Sequence, residues 1–396
     1  MKAVIFGAGN IGRGFIAPLF SLDGWEVTFI DVAKPVVERI NADREYPLTI
    51  VRGDSSEVIT IKNVSAVDGN DTDAAVAAIA GADVCATCVG AKAIKYIMPN
   101  FIKGVKARFA DGARTTDLLI CENLMDADLY IKGLLTPELT EEELGSVGLI
   151  ETSVGRMVPV PKPKAEGENP LGISVEEYGV LPVDRAAIKG NWCHVKNIVP
   201  FSPFHFYIER KLYIHNMGHA ITAYLGKLIY GDEYIYQSIE RPEVRLIAED
   251  AMIESAMALS KKYSSEFEPL MQHVWDLLRR FGNSALGDTC ERVGADIPRK
   301  LARADRLIGA AENALSEGIS PVYICIGAAA ALCVYVKENG CEDAKAAFRE
   351  LTCLDDDSFI TKCALAFYDK FKSGATLGEI IADADRIKKS VVGMIV

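Results

Sequence analysis

The segment ERKLYIHNMGH, residues 209–219, gathers Lys211, Asn216 and His219 in a chain with only five histidines, two of them here. The apolar periodicity that follows predicts a helix over 213–225. On it Asn216 and His219, three apart, share a face, and Lys211 falls at or just before the first turn. The positive end of the helix dipole disfavours a cation there, and desolvation in a cleft acts the same way, so a lowered lysine pKa is expected. Arg210 beside it pushes in the same direction. Such a lysine is a general base. The asparagine amide donates to an oxygen gaining negative charge, and the histidine holds a hydroxyl or orients the lysine. These parts suit alcohol oxidation by hydride transfer. The spacing alone also fits solvated residues at a helix start, where asparagine is a common cap.

A hydride needs a carrier, and residues 7–12, GAGNIG, read G-x-G-x-x-G. The motif follows the apolar run KAVIF and opens a stretch of helical periodicity, NIGRGFIAPLFSLDG, which is the context it requires. Gly7 permits the tight turn, Gly9 lets backbone approach a pyrophosphate, and Gly12 lets helix pack on strand, with Ala8, Asn10 and Ile11 between them. The helix start offers unpaired N–H groups to the phosphates. Asp31 ends the second strand-like run, WEVTFIDV, where a carboxylate accepts from ribose hydroxyls and repels a 2′-phosphate. NAD is therefore the expected cofactor, with Lys34 nearby acting against that preference. Val89 and Gly90, closing the strand-like DVCATCVG, are expected to border it.

These groups need a frame. The 396 residues exceed one ordinary core and predict two domains. After the first two strands, PVVERINADR reads as a helix, ITIKNVSAV as one strand, DAAVAAIAGA as a helix, and DVCATCVG and DLLICEN as strands. This alternation predicts an α/β fold whose N-terminal domain is Rossmann-type, a mostly parallel sheet covered on both faces. MVPVPKPKAEGENP, residues 157–170, reads as an exposed proline-rich loop, after which strand-like segments resume in GISVEEYGVLPV. Beyond about residue 195 the pattern turns helical, as in PEVRLIAEDAMIESAMALSKKY and EPLMQHVWDLLRRFG. The expected division is an NAD-binding Rossmann domain over 1–190 and a mainly α-helical substrate domain over 191–396.

Hydrophobic residues make up 49% and charged residues 25%, a globular balance, and the net charge of -12 argues against nucleic-acid and anionic-membrane partners. The N-terminal apolar run is too short for a signal peptide. No window has the length of a membrane span; CIGAAAALCVYV comes nearest and reads as a buried helix. Ten cysteines lie scattered, most in apolar stretches, and predict free thiols in a reducing, cytoplasmic setting. Cys85 and Cys88 form a CxxC by spacing, but inside a strand-like run and without a second pair. His215 and His219 stand at i and i+4, yet the glutamate of H-E-x-x-H is missing and a lysine base needs no Lewis acid, so no metal is expected. An anionic substrate would need a local positive field. Arg299, Arg303 and Arg306 recur along one predicted helical face after Pro298, with Leu301, Leu307 and Ile308 inward and Arg292 and Lys300 close by. A solvated face paired with Asp296 and Asp305 is the plainer account.

Lys211, Asn216 and His219, in the pattern K-x-x-x-x-N-x-x-H, resemble the signature of the polyol-specific long-chain dehydrogenases, the mannitol dehydrogenase family. FGAGNIGRGFI at 6–16, CENL at 121–124, ERKLYIHNMGHAITAYLG at 209–226 and RVGADIPRKLARADRLI at 292–308 are similar to that family's blocks, in the same order and nearly end to end. The resemblance implies NAD(P)-dependent chemistry without zinc, Lys211 as general base, Asn123 of CEN as the oxyanion partner of Asn216, and His219 on substrate hydroxyls. His215 receives no role. The resemblance also implies a sugar or polyol phosphate as substrate. RVG and PRKL would wall its pocket, and the phosphate would fall to Arg299, Lys300 or Arg292, in that order of preference. Competing readings are a relative acting on an unphosphorylated polyol or a hexuronate, and a non-catalytic NAD sensor. Self-association is left open.

Overall fold

The computed structural model describes residues 1–53, 55–112, 115–159 and 167–392, in two compact units, Met1–His205 and Phe206–Val396. Residues 160–166 of the proline-rich stretch lie outside the described residues.

The first unit carries strands β1 (Lys2–Phe6), β2 (Glu26–Asp31), β3 (Tyr46–Arg52), β4 (Ser55–Ile61), β5 (Val64–Asp68), β6 (Val84–Thr87), β7 (Thr116–Ile120), β8 (Val147–Glu151), β9 (Ile173–Glu176), β10 (Leu181–Asp184) and β11 (Ile198–Phe201). Six of them form a sheet in the order β5-β2-β1-β6-β7-β8, every neighbouring pair parallel. Counted along the chain this is 3-2-1-4-5-6, the dinucleotide-binding order, whose direction reverses between β1 and β6 and opens a crevice at the carboxyl ends of those strands. The run KAVIF shows why β1 lies at the centre. Ala3 and Ile5 join an apolar cluster with Phe15, Phe20 and Phe29, while Val4 and Phe6 join another with Ile79, Phe101 and Ile131. Successive side chains of a strand point to opposite faces, and here both faces are apolar.

ITIKNVSAV is not one strand. The backbone turns at Asn63, φ +57°, so that β4 runs antiparallel to β3 while β5 joins the large sheet. Asparagine tolerates this left-handed conformation better than most residues. The apolar alternation slips by one residue there, from Ile59 and Ile61 to Val64 and Ala66 across the polar pair Lys62 and Asn63, and that slip marks the break. With β9 parallel to β3, the order β4-β3-β9 makes a separate small sheet.

The units divide after His205 rather than near residue 190, and one buried carboxylate explains why. Asp117 on β7 is 1% exposed. It accepts from the N–H of Lys189 at 3.0 Å, that of Gly190 at 2.7 Å and Trp192 Nε1 at 2.6 Å. Trp192 is fully buried against Phe20, and β10 pairs in parallel with β11. The chain past residue 190 is thus bonded into the first core. Asp117→Ala leaves these donors without an acceptor and is expected to destabilise the protein by about 2–4 kcal/mol. Urea unfolding of the variant, followed by tryptophan fluorescence, measures it; an unchanged midpoint would contradict the role given to Asp117.

The second unit is helical. One helix runs from His205 to Tyr230 through α-helical and π-helical stretches and ends at Gly231, φ +69°. Pro242–Tyr263, Phe267–Phe281, Val322–Asn339 and Phe359–Lys372 are the longer helices around it. Val322–Asn339 is, by length and composition, apolar enough to cross a membrane, longer than the sequence suggests, but it is buried along most of its length as a core helix. Its unpaired first N–H groups, those of Tyr323 and Ile324, donate to Glu254, itself 1% exposed and paired with Lys388 at 3.1 Å.

Candidate active site

Gly7 follows β1 at φ +96°, and a side chain there would place its Cβ 2.5 Å from the Cys88 carbonyl oxygen. A Cβ on Gly12 would lie 2.0 Å from the Gly7 oxygen, so helix and loop meet only because position 12 has none. Gly9 is the opposite case: no atom lies within 4 Å of where its Cβ would stand. The first helical bond runs from Arg13 N–H to the Gly9 carbonyl at 3.0 Å. The N–H groups of Asn10, Ile11 and Gly12 precede it at the helix start. An open glycine face beside such a start fits a dinucleotide pyrophosphate.

Asp31, at the end of β2, accepts from Ala8 N–H at 2.7 Å and Ala33 N–H at 2.8 Å. It therefore shapes the loop, and each oxygen keeps a second lone pair for a ribose hydroxyl. Behind the loop, Arg13 Nε donates to the Ala8 carbonyl at 2.6 Å. At β6, the N–H groups of Val89 and Gly90 both donate to the Glu122 carboxylate at 2.9 Å. Burial pushes the Glu122 carboxyl above its ordinary range, and these two bonds oppose that. Asn123 follows, exposed, in the loop after β7, at the same carboxyl edge of the sheet as the glycine turn.

In the second unit the expected helix begins earlier than the sequence predicts. It starts at His205, which puts Lys211 in the second turn. The dipole acts within the first turn, so that part of the argument for a lowered lysine pKa fails. A different feature takes its place. Residues Lys211–Asn216 are a π-helix. Five residues of α-helix turn about 140° beyond a full revolution, whereas i→i+5 bonding brings residues five apart nearly over one another. Asn216 then precedes the α-helix Met217–Leu225, where His219 lies three residues on. Over residues 214–226 only Asn216 and His219 escape full burial, and Lys211 is half-buried. The three residues form one stripe, in which Asn216 and His219 are the accessible positions of the enclosed stretch 214–226 and Lys211 lies among the half-buried residues 207–213.

Around the stripe, His219 Nε2 lies 3.3 Å from Asp288 Oδ2, and the Phe281 ring stacks on the imidazole at 4.7 Å. His215 is buried on the same helix, its ring centre 6.1 Å from that of His219. Burial, then the charges of Arg280, His219, His273 and Lys211, drive its pKa well below the ordinary range. His215 is thus a neutral packing residue. Among the described residues no group of three or more His, Cys, Asp or Glu side chains is placed to hold a metal ion.

The basic residues do not share one helical face. The helix Ile297–Leu301 stops, and the next starts at Ile308, because Leu301, Leu307 and Ile308 all return to the core. Arg303 turns to Glu312 at 2.8 Å. Arg299 is held by Asp296 at 2.6 Å and Asp305 at 3.2 Å, and Arg292 by Asp288 at 2.5 Å. Lys300 differs from both arginines. It is 5% exposed, and its ammonium has no hydrogen-bond or ion-pair partner among the described residues. Burial, then Arg306 and Arg299, lower its pKa to about 8.

Residues 1–196 match the mannitol dehydrogenase Rossmann domain, and residues 204–352 match the mannitol dehydrogenase C-terminal domain. The chain belongs to the mannitol dehydrogenase family. It is 35% identical over 343 residues to a mannitol-1-phosphate 5-dehydrogenase of Caldanaerobacter subterraneus subsp. tengcongensis, covering 86% of this chain and 88% of that one. The mannitol-1-phosphate 5-dehydrogenase of Thermoanaerobacter pseudethanolicus is also 35% identical, over 86% and 87% of the two chains. Among solved structures, a D-sorbitol dehydrogenase in substrate-free form superposes with a TM-score of 0.70 at 15% identity, over 98% of this chain and 92% of the other. A Pseudomonas fluorescens mannitol 2-dehydrogenase does so with 0.68 at 14%, over 98% and 94%. These two likenesses speak to the fold alone.

As a member of the mannitol dehydrogenase family the chain is a polyol dehydrogenase, and its Rossmann unit serves a nicotinamide cofactor. Glu122, Asp288 and Phe281 are the contacts sequence reasoning missed. Glu122 was within reach, being the middle residue of CEN. Asp288 and Phe281 carry no local signal, since they meet His219 only through the fold.

Proposed function

We propose that this chain interconverts D-mannitol 1-phosphate and D-fructose 6-phosphate with NAD. The stripe of Lys211, Asn216 and His219 carries the reading, and the two relatives of that activity support the substrate. NAD would be held by the glycine turn Gly7–Gly12 and by Asp31, and would supply the hydride acceptor for C5 of the polyol phosphate, which is C2 of the ketose. Lys211 takes the proton of the hydroxyl on that carbon. Asn216, with Asn123 as second donor, stabilises the developing alkoxide by hydrogen bonds that strengthen as charge accumulates. His219 accepts from a neighbouring substrate hydroxyl. Lys300, the basic group without a carboxylate partner, takes the phosphate. The free thiols of all ten cysteines support a reducing, cytoplasmic setting.

NADH oxidation measured with fructose 6-phosphate, fructose and fructuronate tests the proposal. Turnover of fructose 6-phosphate far above a weak turnover of fructose is expected. A preference for fructose or fructuronate would replace it by the second reading, an unphosphorylated polyol or a hexuronate. That reading has one observation in its favour, the carboxylate pairing of Arg299 and Arg292. NADH binding without turnover of any of them would favour a sensor.

The cofactor preference rests on Asp31. Its charge, at the end of β2, repels a 2′-phosphate. Asp31→Ala is expected to relax the preference for NADH over NADPH, read as the ratio of kcat/KM values. A natural preference for NADPH would contradict this role of Asp31.

A further inference from the structure

Asp288 is set rigidly against His219. Its carbonyl accepts from Ile235 N–H at 2.9 Å, the next residue but one, Cys290, donates its N–H to Glu233 at 2.8 Å, and Tyr234 and Thr289 form a bridge between the two segments. Thr289 caps the short helix Cys290–Gly294 by accepting from Arg292 N–H. The Asp288 side chain is nearly buried, with Oδ2 3.3 Å from His219 Nε2 and Oδ1 accepting from Arg292 Nε at 2.7 Å. Phe281 lies parallel to the imidazole, 10° from coplanar, so stacking sets the ring plane while the carboxylate sets its rotation. A carboxylate only accepts, so a hydrogen bond across that 3.3 Å gap requires the proton on Nε2, and in the neutral ring Nδ1 is then the acceptor.

We propose that Asp288 is a positioning residue: it holds His219 in the tautomer whose Nδ1 accepts from a substrate hydroxyl, and Arg292 serves by anchoring Asp288 rather than by binding phosphate. This rests on the role given above to His219. Partners of this kind, one bond removed from the reacting molecule, orient an imidazole and select its tautomer.

Nitrogen-edited imidazole NMR of the full chain, with His219→Gln to assign the signals, reports which nitrogen carries the proton. The expected pattern is Nε2–H in the unmodified protein and a tautomer mixture in Asp288→Ala. In kinetics, Asp288→Ala lowers kcat/KM for fructose 6-phosphate about ten- to a hundredfold, as loss of a charged hydrogen bond does. Asp288→Glu recovers part of it. In a His219→Ala background the same change costs about twofold at most, because the partner through which it acts is gone. An unchanged tautomer, or an equal loss in both backgrounds, overturns the proposal. If thermal melting shows Asp288→Ala to be unfolded, Arg292→Ala replaces it. Equal losses on fructose 6-phosphate and fructose are expected there, and a loss confined to fructose 6-phosphate overturns the role of Arg292. Absence of any ketose turnover in the unmodified protein would defeat the proposed function, and the NMR spectra then decide the Asp288 proposal by themselves.

Discussion

Lys211→Ala is expected to lower kcat for fructose 6-phosphate reduction by about 10²–10⁴-fold, the range for loss of a general acid–base group. The Kd for NADH should stay nearly constant, because the substitution leaves the glycine loop and Asp31, the groups proposed to hold the dinucleotide, unchanged. A fall in kcat with constant cofactor affinity separates a lost proton carrier from a damaged fold. Lys211→Arg sharpens the test. Arginine keeps the positive charge but does not release its proton near neutral pH, so it should rescue little. In the direction of alcohol oxidation, the unmodified protein gains rate with rising pH as the lysine loses its proton, and Lys211→Arg lacks that limb. Near-normal turnover in either variant removes Lys211 from the mechanism.

Lys300→Ala is expected to raise the KM for fructose 6-phosphate about ten- to a hundredfold, since a hydrogen bond to a charged group is worth about 1.5–3 kcal/mol. Activity on unphosphorylated fructose, where detectable, should change much less. The pH dependence carries a sign. The Lys300 pKa is lowered to about 8 by burial first and by its arginine neighbours second. Its charge is therefore present below pH 8 and lost above it. As pH rises through that value, kcat/KM for fructose 6-phosphate should fall relative to that for fructose; the ratio cancels the titration of Lys211, which both substrates share. Arg299→Ala should have the smaller effect, because two carboxylates already hold that guanidinium. Equal losses on both substrates in Lys300→Ala would assign the residue to the fold and remove it from phosphate binding.

The features legible in the sequence are those whose parts lie close together along the chain. GAGNIG after an apolar run marks a glycine turn because the steric demand is local: Gly12 must lack a Cβ wherever that helix starts beside that strand. Short continuous apolar runs mark strands buried on both faces and helical periodicity marks helices, so the parallel sheet and the helical second unit are readable from their succession. Lys211, Asn216 and His219 fall within a single helix, and their types and spacing announce the chemistry. Tertiary structure decided everything that depends on which distant group arrives. The π turn that brings Lys211 over Asn216, the carboxylate of Asp288 on His219, and the Asp117 bonds that draw residues 189–192 into the first unit have no local signature. The basic cluster shows the reason most plainly. Arg299 and Lys300 are neighbours with equal claims by charge and spacing, but folding surrounds the arginine with Asp296 and Asp305 and buries the lysine without a carboxylate of its own. Charge is a property of the residue, whereas its neutralisation and desolvation are set by the three-dimensional neighbourhood, and an anion responds to the latter.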